Sequence, residues 1–137
     1  MNEKRLIVDQ TILVSFFTGN PPQQAEKAKA LLAESMNGSR TLVLFPHVII
    51  SSALRLEAEY SLPFRKVAES LLALLYCKNI DVREEDLIIP ALEMHRDQGI
   101  PLDLAFLNAA ARAEHAALVS FDPENGSLEG VRKVELR

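Results

Sequence analysis

The sequence predicts a single α/β domain over residues 1–137, built on a central, mostly parallel sheet of four to five strands flanked by helices. Three observations predict it. Short aliphatic runs, the pattern of a parallel strand covered on both faces, recur at Leu6-Ile7-Val8, Leu42-Val43-Leu44 and Leu118-Val119. The stretches between them carry apolar residues at helical spacing and are long enough for right-handed crossovers. No repeat, linker or low-complexity tract interrupts the alternation, so no domain boundary is drawn.

The first strand runs from Arg5 to Asp9. Gln10 to Phe17 follows as a helix, with Ile12, Leu13, Phe16 and Phe17 at helical spacing, and Thr18-Gly19-Asn20-Pro21-Pro22 stops it. A second helix is expected from about Gln23 to Glu34, with the stripe Ala25, Ala28, Leu31 and Leu32. Thr41 to Phe45 is the second strand, closed by Pro46. The helix after it, Val48 to Tyr60, has a buried first half and a solvated second half bearing Arg55, Glu57 and Glu59. Pro63 stands in the first turn of the next helix, Phe64 to about Cys77, and Leu71, Leu72, Leu74 and Leu75 make it a core element. Asn79 to Val82 is a short third strand. Glu84-Glu85-Asp86 supplies acids to the first turn of a helix ending near Gln98-Gly99, with Pro90 inside it. Asp103 opens a small-residue helix from Leu104 to about His115, Ala117 to Phe121 is a fourth strand ending at Asp122, and Val131 to Leu136 alternates as an edge strand does.

Hydrophobic residues make up 48% of the sequence and charged residues 25%, the balance of a folded globular chain. A net charge of −4 excludes a domain held on nucleic acid by bulk positive charge, though not a local basic patch. The single cysteine, Cys77, cannot form an intramolecular disulfide, and no leader pattern is read at the amino terminus, so the cytoplasm is the expected compartment. Apolar stretches such as Leu71 to Tyr76 fall far short of the ~20 residues a membrane helix needs.

In open parallel sheets ligands bind outside the carboxyl ends of the strands. Asp9 ends the first strand and Asp122 the fourth, so neighbouring strands would bring the two acids to one rim. Close carboxylates repel and recruit a cation, and magnesium or manganese accepts such oxygens together with water and substrate phosphate. Taken singly, each acid also reads as the cap of the next helix.

These residues carry a family resemblance. Leu6-Ile7-Val8-Asp9-Gln10-Thr11-Ile12-Leu13 resembles the first motif of PIN domains, and Leu118-Val119-Ser120-Phe121-Asp122 resembles the last. The element order, Pro46 before the third helix and Gly130-Val131 before the final strand match as well. The resemblance implies a three-layer fold and an Mg2+- or Mn2+-dependent ribonuclease. It implies Asp9, Asp122 and Asp103 as catalytic metal ligands, Thr11 and Ser120 as supporting hydroxyls, and Glu124 as a supplementary ligand. Small members resemble the toxin halves of toxin–antitoxin pairs, homodimers inhibited by a small antitoxin. Homodimerisation would also cover Phe16, Phe17, Leu31 and Leu32.

Two expected acids are replaced. The second falls on Ser52 and the third on Leu104, with Asp103 immediately before it and also readable as a helix N-cap. Glu59 lies seven residues beyond Ser52, some ten ångströms along a helix. The alternative is therefore a catalytically inactive PIN-like domain serving as a binding or assembly module. His47, His95 and His115 lack zinc-site spacing and read as surface or cap histidines, and Cys77 as a small buried hydrophobe. Arg55, Arg65 and Lys66 read as a solvated face that could also contact RNA or a partner. No serine sits in a nucleophile-elbow context and no glycine-rich loop cradles phosphate.

Overall fold

The computed structural model describes residues 3–121 together with 133, 134 and 136. Strand β1 (Arg5–Ile7) leads into helices α1 (Gln10–Thr18) and α2 (Pro22–Met36), then β2 (Thr41–Leu44), α3 (Pro46–Ala58) and α4 (Phe64–Leu75). Strand β3 (Ile80–Val82), α5 (Glu85–Gln98), α6 (Leu102–Glu114), β4 (Leu118–Val119) and β5 (Lys133–Val134) follow. The helix starts have local causes. Asp9 caps α1 with its side chain, whereas α2 and α3 begin on Pro22 and Pro46, whose missing N–H would be unpaired there in any case. Helix α5 carries Glu85 and Asp86 in its first turn and His95 and Arg96 in its last, matching the helix dipole, and ends at Gly99 in the left-handed conformation.

The sheet order is β1-β2-β3, all parallel, with Leu6 opposite Leu42 and Leu42 opposite Ile80. Alternation sorts the strands by face. Leu6, Val8, Leu42, Leu44, Ile80 and Val82 pack into the helical core, whose fully buried members include Leu13 of α1, Ile49 and Leu56 of α3, Leu71 of α4, Leu92 of α5 and Leu102 of α6. The other row carries Arg5, Ile7, Asp81 and Arg83 (register from the strand pairs), where Asp81 accepts from Arg5 at 2.7 Å and from Arg83 at 3.3 Å.

The α/β class stands, with a parallel sheet of three strands rather than the expected four to five among the described residues. Strands β4 and β5 pair in parallel with each other, Leu118 opposite Lys133, as a separate ladder. The two sheets leave apolar side chains uncovered, with Ile7 of β1 72% and Val119 of β4 53% exposed. Other boundaries moved for identifiable reasons. The third helix starts two residues earlier than its apolar pattern, on Pro46, and its buried residues Val48, Ile49, Ser52, Ala53 and Leu56 run through both halves. Pro63 is the N-cap of α4 rather than a residue of its first turn. Helix α6 starts at Leu102 behind Pro101, which places Asp103 inside the first turn and not at the cap.

Candidate functional site at the carboxyl edge of the sheet

The bond from the Val8 amide to the Val43 carbonyl, 3.2 Å, carries the β1–β2 ladder to the residue before Asp9. Asp9 itself is extended (φ −97°, ψ 177°), which turns its carboxylate over the start of α1. Its Oδ1 accepts the Thr11 hydroxyl at 2.5 Å, the Thr11 amide at 2.9 Å and the Ile12 amide at 3.3 Å. These bonds hold the carboxyl below the usual carboxylate range. The Thr11 hydroxyl contributes most, slight burial opposes it, and the two amides add to it. Asp9 is thus an exposed, ionised acid with Oδ1 committed to capping. The capping reading holds for Oδ1, while Oδ2 accepts no bond among the described residues.

The other expected positions divide. Asp103 is exposed in the first turn of α6, where the helix dipole favours a carboxylate, and Leu104 beside it is half-buried. Ser52 is fully buried and donates its hydroxyl to the Val48 carbonyl at 2.7 Å, a bond within its own helix. Glu57 and Glu59 serve elsewhere: Glu57 meets His95 at 2.8 Å, and Glu59 pairs with Arg55 at 2.5 Å. Arg55 therefore belongs to a helical i,i+4 pair. Ser120 is half-buried. Asp122 and Glu124 lie outside the described residues, and with them the expected meeting of Asp9 with Asp122.

A hard divalent cation favours carboxylate oxygens, and Asp9 fits that requirement as one ionised, accessible ligand. The described residues alone contain no group of three or more His, Cys, Asp or Glu able to hold a metal ion. They offer a partial donor set.

Sequence reasoning missed two features. The first is a row of planar groups at the same rim: the Arg83 guanidinium lies 6.0 Å from the Phe45 ring centroid, and Phe45 lies 6.4 Å from His47. Phe45 and Arg83 each follow the last residue of a strand, yet neither belongs to a motif, so only the strand-end rule could have marked them. The second is His95, read as a surface or cap histidine and in fact 3% exposed. Its spacing from other histidines says nothing about burial, which comes from α3 and α4 closing over α5. Cys77 is half-buried, with its thiol 3.4 Å from the Ala73 carbonyl.

No family model matches the chain, and comparison with curated proteins finds no match. No helix of the described residues is long and apolar enough to cross a membrane.

Proposed function

We propose that the chain is a PIN-like metal-dependent ribonuclease with a reduced acidic site, of the kind found as the toxin half of a toxin–antitoxin pair. The observation that carries this reading is Asp9, an ionised carboxylate at the carboxyl end of the first strand of a parallel sheet, oriented by Thr11. In this reading Asp9, Asp122 and Asp103 hold Mg2+ or Mn2+, Glu124 supplements them, and Thr11 and Ser120 orient ligands. When bound, the metal would supply a water nucleophile and neutralise charge on the phosphate. Asp9 keeps its carboxylate ionised and aimed, and the sheet edge presents it to a substrate strand. The finer fold that goes with this function has β4 docked beside β1 in a five-stranded sheet of a three-layer domain. The exposed Ile7 and Val119 are the side chains such docking would cover. The apolar groove of about 250 Å³ lined by Phe16, Phe17, Leu32, Met36 and Leu74 supports a homodimer or a bound antitoxin segment in a cytoplasmic protein.

The second reading is a PIN-like domain without catalysis, acting as a binding or assembly module. Ser52 favours it: at a position where the resemblance implies a ligand, the side chain is 0% exposed and bonded to its own helix.

Cleavage of single-stranded RNA in Mn2+, with a chelator control and the Asp9→Asn and Asp122→Asn variants alongside, decides between them. Chelator-sensitive cleavage lost in both variants is the expected result. No cleavage by the wild type would hand the case to the binding module, and cleavage that survives both substitutions would refute Asp9 and Asp122 as the metal ligands.

A further inference from the structure

Three helices and a turn meet at one imidazole. His95, in the last turn of α5, has an oxygen at each ring nitrogen: the Ile100 carbonyl 2.5 Å from Nδ1, and Oε2 of Glu57 on α3 2.8 Å from Nε2. Phe64 of α4 covers the ring at 5.6 Å between centroids. Gly99, with φ +70°, reverses the chain so that the next carbonyl points back at His95. Among the described residues Glu57 is the one charged group bonded to the ring. Helix α4 presents the apolar Phe64, while its Arg65 acts on the exposed Asp97 and its Glu69 on the half-buried Arg96. The turn into α6 presents a backbone carbonyl, and Asp103 beyond it is exposed.

A carbonyl oxygen only accepts, so Nδ1 must carry a proton for its bond to exist. The second contact needs another proton, on Nε2 or on Glu57. The pair must therefore hold two protons to make both bonds. With one proton, a lone pair of the buried ring faces a carbonyl or the half-buried Glu57 carboxylate, and such unmatched polar contacts at a buried group are costly. We infer that His95 and Glu57 form a proton-dependent clamp that fastens α3 to the α5–α6 turn and loosens when rising pH removes the shared proton. The clamp stands whether or not the chain is a nuclease. Its position matters to that reading, because the clamped turn leads within three residues to Asp103.

Glu57→Gln isolates the device. An amide both donates and accepts, so it satisfies Nε2 whether His95 holds one proton or two. Thermal and urea unfolding of the full chain from about pH 5.5 to 8.5, across the range where imidazole ordinarily titrates, compares this variant with the wild type. The wild type is expected to lose up to about tenfold in its folding equilibrium per pH unit relative to the variant, the limit for one linked proton. Parallel pH profiles would overturn the clamp. Should the variant not fold, hydrogen exchange of the Gly99 and Ala105 amides in the wild type, corrected for intrinsic rate, gives the second reading. Protection falling with pH supports the clamp, and protection constant across the range refutes it.

Discussion

The hydroxyl of Thr11 donates to Oδ1 of Asp9 at 2.5 Å, and the amide of the same threonine donates to the same oxygen at 2.9 Å. Thr11 thus ties the Asp9 cap to the start of α1, favours the ionised acid and aims it across the carboxyl edge of the sheet. The hydroxyl is also the largest cause of the lowered Asp9 pKa. A carboxyl lowered in the folded state stabilises the protein above its unfolded pKa, and that contribution is lost as pH falls through the folded value. Thr11→Val should return the Asp9 titration toward the ordinary carboxylate range and weaken the acid-side loss of stability. Titration of the Asp9 carboxyl by NMR checks this, and an unchanged midpoint would refute it.

Capping and chemistry at Asp9 separate by substitution. Asp9→Ala removes the acceptor for the Thr11 and Ile12 amides and should cost about 0.5–2 kcal/mol in urea unfolding. Asp9→Asn keeps an acceptor oxygen and should leave stability nearly unchanged. Any loss of metal binding or cleavage in the asparagine variant would then report the charge, while a large loss of stability there would contradict the capping account.

Restoring an acid at position 52 should not restore a site. Ser52 is 0% exposed and packs within α3, so Ser52→Glu would bury a carboxylate without a partner and cost several kcal/mol. Ser52→Ala loses only a bond to the Val48 carbonyl and should fall within about 1 kcal/mol of wild type. A folded, more active Ser52→Glu protein would show that the helix can turn this position toward the rim.

Gly99 and Gly38 both have left-handed backbones, at φ +70° and +87°, but only Gly99 faces a neighbour, Phe64 Cζ, 3.3 Å from where a Cβ would stand. Gly38→Ala should cost about 1–2 kcal/mol for the backbone conformation alone. Gly99→Ala should cost more, because Phe64 must shift from its place over His95. Equal thermal shifts in the two variants would show that Phe64 yields freely.

Leu71 is 0% exposed at the centre of α4, and Leu71→Ala should cost about 2–5 kcal/mol by denaturant unfolding, the range for a leucine cavity. A cost under about 1 kcal/mol would mean that the packing around α4 collapses into the space.

Local patterning by itself determined the order of strands and helices, since alternation, helical spacing, prolines and glycines act within a few residues of their own position. The aliphatic runs at Leu6 and Leu42 became parallel strands, and Leu71, Leu72, Leu74 and Leu75 are all buried. Asp9 was legible as an acid at a strand end because strand and cap are both short-range features. What only the tertiary structure decided depends on which surfaces meet. Burial of Ser52 and of His95, the diversion of Glu57 to that histidine, and the row of Arg83, Phe45 and His47 arise where elements distant in sequence pack together. Such contacts are set by helix orientation and strand register, and neither quantity is written in the spacing of any single segment.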